Sequence, residues 1–163
     1  MSDVVSVEEG NRRLLVLADF LEKLPPERFD FSRWVGDKWG GKPDLSCGTT
    51  ACGMGWATTA VPEAKLELRR HSSSVAYGSH GFAYVCHESW PYEPAWESVV
   101  HAGELAFALT EGDVEHLFTP CDHEDDEHED GEEYEDCDML NEDATAAEVA
   151  AHIRRFVAER SRE

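Results

Sequence analysis

The stretch that decides the fold is SVEEGNRRLLVLADFLEKLPP at residues 6–26. Ser6 and Glu9 have the spacing of a capping box, in which the serine hydroxyl accepts from the Glu9 amide and the Glu9 carboxylate reaches back to the cap amide. Four leucines then recur at helical spacing: Leu14, Leu17, Leu21 and Leu24. Pro25 and Pro26 end the run, because the second proline disfavours helix at the first. The stretch predicts an amphipathic helix of about five turns, roughly 27 Å long.

Further helix signals follow in the second half of the chain, and strand signals lie between. Threonines open two more capping boxes, at residues 110–113 and 145–148, each before an apolar stripe. Residues 50–60 and 97–108 also favour helix, whereas residues 64–86 contain the β-prone runs LELRR, SVAY and FAYVC. The sequence therefore predicts an α+β fold, in which four or five helices pack on a small antiparallel sheet or hairpin, with the two terminal helices in one layer.

Size and composition favour one domain spanning residues 1–163. The chain has 14 Lys and Arg against 35 Asp and Glu, a net charge of −21, which disfavours direct binding to nucleic acid or anionic membrane and favours basic surfaces. No export signal follows Met1, and no apolar run approaches the ~20 residues of a membrane span. The five cysteines are an odd number and are best interpreted as reduced thiols. We expect a cytoplasmic protein.

The charge is concentrated in residues 121–143, which hold fourteen Asp and Glu and no Lys or Arg. We call this range the acidic segment and predict a loop or insertion within the domain. A block of like charges is either a solvated loop that repels itself or a surface that docks on a basic partner, including a groove that ordinarily takes nucleic acid. The candidate contact residues are twelve carboxylates with Tyr134 as an anchor: Asp122, Glu124, Asp125, Asp126, Glu127, Glu129, Asp130, Glu132, Glu133, Glu135, Asp136 and Asp138.

The acidic segment also contains the ligand types that zinc prefers. Cys121, His123, His128 and Cys137 form a C-x-H-x4-H-x8-C series. Structural zinc sites usually show tighter ligand pairs than this series does. We expect no cofactor, with a small zinc-binding structural domain as the alternative.

The stretch SCGTTACGMGWATTA at residues 46–60 is either a catalytic cysteine motif or a helix whose small residues allow close packing. A thiol just before a helix is made more acidic by the helix N-terminus, and Cys47 is the candidate for that position. Folding could pair Cys47 with one of three histidines: His87, His101 or His116. Against a hydrolase or transferase of this kind, the many Gly and Ala residues indicate close helix packing, with the cysteines as small buried side chains. We expect Cys47 to be buried and unreactive, and the protein to lack enzymatic activity.

Several strings of the chain together resemble a family of small uncharacterised proteins encoded by bacteriophages and bacteria. The most specific part is a C-G-T-x-x-C-x-x-G-x-A string: Cys47, Gly48, Thr49, Cys52, Gly55 and Ala57. LPPERFD, ALTEGDVEHLF and ATAAEVAAHIRRF extend the resemblance over residues 11–60 and 105–158, and the acidic segment lies outside the pattern. The resemblance implies a shared fold and a phage or mobile-element origin, in which case the host cytoplasm is the compartment. It implies no reaction.

The expectation that the chain binds no structural zinc ion can be tested directly. We expect purified protein to contain less than one zinc per chain and to keep its circular dichroism spectrum after chelation, because the apolar residues suffice for a core without a metal. Elemental analysis measures the first quantity. One zinc per chain, lost when Cys121 and Cys137 are both changed to Ser, would instead establish the structural-metal alternative.

Overall fold

The computed structural model describes residues 5–31, 51–70, 83–89, 95–120 and 139–162. Within these ranges the chain forms five α-helices, two short 3-10 helices and one two-stranded sheet, so the predicted α+β class is confirmed. The α-helices and strands in chain order are α1 Val7–Leu21, α2 Gly53–Ala60, β1 Leu66–Arg70, β2 Ala83–His87, α3 Ala95–Phe107, α4 Glu111–Phe118 and α5 Ala146–Arg160.

Helix α1 begins where the sequence predicts but is shorter than predicted. The Ser6 hydroxyl accepts from the Glu9 amide at 3.2 Å, which is one half of the expected capping box. The other half is absent because the Glu9 carboxylate binds Arg12 and Arg13. The helix spans 15 residues, which is about 22 Å. Leu24 lies beyond it in a tight turn, where its amide donates to a carbonyl three residues back at 3.1 Å.

The two later capping boxes are complete. Thr110 accepts from the Asp113 amide while the Asp113 carboxylate accepts from the Thr110 amide, and α4 follows. Thr145 and Glu148 exchange the same pair of bonds at the start of α5. Each box satisfies amide groups that the helix geometry leaves without partners.

The sheet pairs β1 and β2 in antiparallel register, with Leu66 opposite His87 and Leu68 opposite Val85. Helix α3 packs against β2, and α2 packs against β1. The predicted SVAY run lies outside the described residues. The predicted strand pairing is confirmed for the two outer runs of the 64–86 region.

The core forms where the first and last helices meet. Helices α1 and α5 make the most extensive contact of any two elements in the described ranges, as the prediction of adjacent terminal helices requires. Their buried faces join α3 and α4 in one cluster, whose large members include Leu14, Leu17, Phe107, Phe118 and Ile153. None of the helices within the described ranges has both the length and the apolar character of a membrane span.

A close approach of α1 to the end of α3 depends on Gly10. A Cβ atom at this position would overlap the backbone carbonyl of Phe107. The chain then leaves α3 through Ala108, whose φ of 54° is in the left-handed region and ends the helix. Helix packing at this point therefore requires a residue without a side chain.

We predict that Gly10→Ala lowers the free energy of unfolding by about 1–3 kcal/mol, because a backbone oxygen cannot move aside as a flexible side chain can. Gly112→Ala is the matched control, since nothing lies within 4 Å of a Cβ atom there and alanine favours helix. The control should be neutral or stabilising by up to about 1 kcal/mol. Denaturant unfolding measures both, and equal effects of the two changes would contradict the close approach.

Candidate functional site

The acidic segment is attached at both ends to buried structure. It follows α4, whose last turn buries Leu117 and Phe118 completely or nearly so, at 0% and 1% exposed. It precedes α5, where Ala144 and Ala146 are each 7% exposed. The two helices also contact each other. The chain on both sides of the segment is therefore part of the core, while residues 121–138, which include the candidate contact residues Asp122–Asp138, lie outside the described residues.

Four exposed carboxylates lie close to these attachment points in the chain, and we call them the acidic flank: Glu111, Glu115, Glu142 and Asp143. The first two are four residues apart on α4 and so share one face of that helix. None of the four forms an ion pair within the described part of the chain. Within the described residues, the acidic flank thus carries unneutralised charge on α4, through Glu111 and Glu115, and at the end of the acidic segment itself, through Glu142 and Asp143.

Several cations elsewhere on the described surface form ion pairs within the chain. Arg12 binds Glu9 and Glu63 at 2.7 and 2.8 Å. Arg154 joins α5 to α1 through two carboxylates of that helix, Asp19 and Glu22. Lys65 pairs with Glu88 and Arg69 with Glu67 in the same way. These cations neutralise carboxylates away from the acidic flank, which keeps the excess negative charge near α4 and the start of α5.

The pKa values of the paired groups are shifted in the directions expected for ion pairs. Hydrogen bonds from Arg12 and then Arg13 lower the pKa of the exposed Glu9 carboxyl to about 2. A hydrogen bond from the Arg12 guanidinium also lowers the pKa of Glu63, and the hydrogen bonds that Arg154 donates to Glu22 and Asp19 raise the pKa of Arg154. These groups stay charged over the whole physiological range.

The three candidate catalytic histidines lie on three different elements, β2, α3 and α4. His87 lies at the end of β2, where burial lowers its pKa, the nearby Glu88 raises it and the charge of His101 on α3 lowers it further. His101 itself contacts Glu104 at 3.2 Å, and Ser89 bonds to His87 at 2.8 Å. His116 instead packs its ring on His152 of α5, with centroids 4.5 Å apart. The described contacts of the three histidines therefore involve three different partners: Ser89, Glu104 and His152.

The thiol at the start of α2 is not the predicted one. The helix begins at Gly53, so its N-cap residue is Cys52, whereas Cys47 lies outside the described residues. Cys52 is fully buried, and that burial raises the pKa of its thiol to about 11 despite backbone hydrogen bonds that favour the thiolate. Burial also raises the pKa of Cys86, the other described cysteine. The helix N-terminus therefore does not activate the cysteine that occupies it.

The predicted zinc ligands Cys121, His123, His128 and Cys137 all lie outside the described residues. The described ranges contain no group of three or more His, Cys, Asp and Glu side chains that could hold a metal ion. The absence of a cofactor stays a prediction.

No protein family, curated protein or solved structure matches this chain. The resemblance to small phage and bacterial proteins therefore stays a prediction that rests on the quoted strings.

Sequence reasoning did not single out His152. This residue is 3% exposed and makes hydrogen bonds through both ring nitrogens. The signal was present in the sequence, because position 152 follows Val149 by three residues and precedes Phe156 by four, which places it on the apolar side of α5.

The cysteine geometry generates a test. In single-cysteine variants, we expect the thiol of Cys52 to react with a thiol reagent at pH 7.5 on the order of 10²-fold more slowly than free cysteine, because burial suppresses the thiolate. The variant that retains Cys47 should also react slowly. Stopped-flow labelling measures both rates. A Cys47 that reacts faster than free cysteine at neutral pH would support a cysteine-dependent hydrolase or transferase.

Proposed function

We propose that the chain is a non-enzymatic accessory protein that binds a basic partner protein through the acidic segment and the acidic flank. The observation that carries the proposal is the uneven distribution of ion pairs over the described residues. Five described cations pair with carboxylates of their own chain, namely Arg12, Arg13, Lys65, Arg69 and Arg154, whereas the acidic flank forms no ion pair within the described residues. The net charge is −21, and the excess of Asp and Glu is concentrated in the acidic segment.

Concentrated charge of one sign favours association with the opposite sign in two ways. It speeds diffusional encounter, and it disfavours partners that carry like charge. A basic protein surface, including a groove that ordinarily takes the phosphates of nucleic acid, has the complementary chemistry. Direct binding to nucleic acid or membrane is not part of the proposal, because both repel this charge. Through the resemblance, we place the protein among phage or mobile-element products that act in the host cytoplasm.

The attachment of the acidic segment supports a surface role as well. Its two ends are fixed by buried residues of α4 and by the buried residues before and within α5, including Phe118 and Ala146. The sequence predicts a solvated loop for this segment, and charges on such a loop contribute little to folding stability and are available for binding. The enzymatic alternative has less support, because both described thiols, Cys52 and Cys86, are buried.

We predict that immobilised protein captures a basic partner from a lysate of its source cells at 0.1 M salt and releases it at 1 M salt. The Debye length falls from about 10 Å to about 3 Å over this range. Changing the twelve carboxylates between Asp122 and Asp138 to Asn and Gln should abolish capture while the unfolding free energy is unchanged or increased. Quantitative mass spectrometry of the captured fraction provides the measurement.

A matched pair of smaller variants localises the effect. One variant changes the four residues of the acidic flank to Gln and Asn. The control changes four exposed carboxylates of other regions to Gln, namely Glu8, Glu27, Glu97 and Glu159. Both alter the net charge equally, so only the flank variant should weaken capture if the site is local. Equal capture of the same partner by native and fully neutralised protein at both salt concentrations contradicts the proposal.

A further inference from the structure

We draw no further inference here: the strongest candidate, the cluster of His87 and Ser89 at the end of β2 with His101 and Glu104 of α3, carries nothing because it rests on hydrogen bonds between residues two or three apart in the chain and on the pKa of His87, which burial lowers, and these point to no ligand.

Discussion

Three helices meet at the C-terminal end of α3, and the packing of the described core depends on this junction. The last carbonyl groups of a helix have no partner within it, so they must bind elsewhere. Here the carbonyls of Phe107 and Ala108 accept from the guanidinium of Arg160 at the end of α5. Gly10 of α1 packs directly on the same Phe107 carbonyl. The junction brings the first and last helices together along their apolar faces.

This arrangement explains how a chain with so few cations folds while remaining strongly acidic. Arg160 binds backbone carbonyls at the helix junction, Arg154 ties α5 to α1, and Arg13 binds both Glu9 and the Ala106 carbonyl. Cations placed in this way stabilise the packing of helices. They are then not available to neutralise the acidic flank, so the same distribution of charge serves the fold and leaves one region negative.

Features that depend on local chemistry could be predicted from the sequence. The caps at Thr110 and Thr145, the short α2 and the two outer strands follow from local residue patterns, and the structure confirms them. Features that depend on contacts between distant residues could not. Helix α1 is shorter than predicted because the chain turns before Pro25. Glu9 does not complete the capping box because Arg12 and Arg13 compete for its carboxylate. The close approach at Gly10 could be predicted only by knowing where α3 ends.

The candidate site could be predicted less well than the fold. The sequence identified the region of greatest charge but not the acidic flank, because exposure and ion pairing depend on which helix faces meet. The helix predicted over residues 50–60 begins at Gly53 with Cys52 as its N-cap, and Cys47 lies outside the described residues. The sequence did not identify His152, because its contacts with His116 and Arg155 could not be predicted. His116 lies 36 residues earlier in the chain, and only folding brings it into contact with His152.

The central claim is that the helix junction holds the fold and that the acidic segment is not required for it. Native-state hydrogen exchange on a chain with residues 122–138 replaced by a short Gly-Ser linker tests this most directly. The account predicts that the slowest amides lie on the buried faces of α1, α3 and α5 and exchange as slowly as in the unaltered protein. Loss of this protection in the replaced chain would contradict the account, because the stability would then depend on the acidic segment.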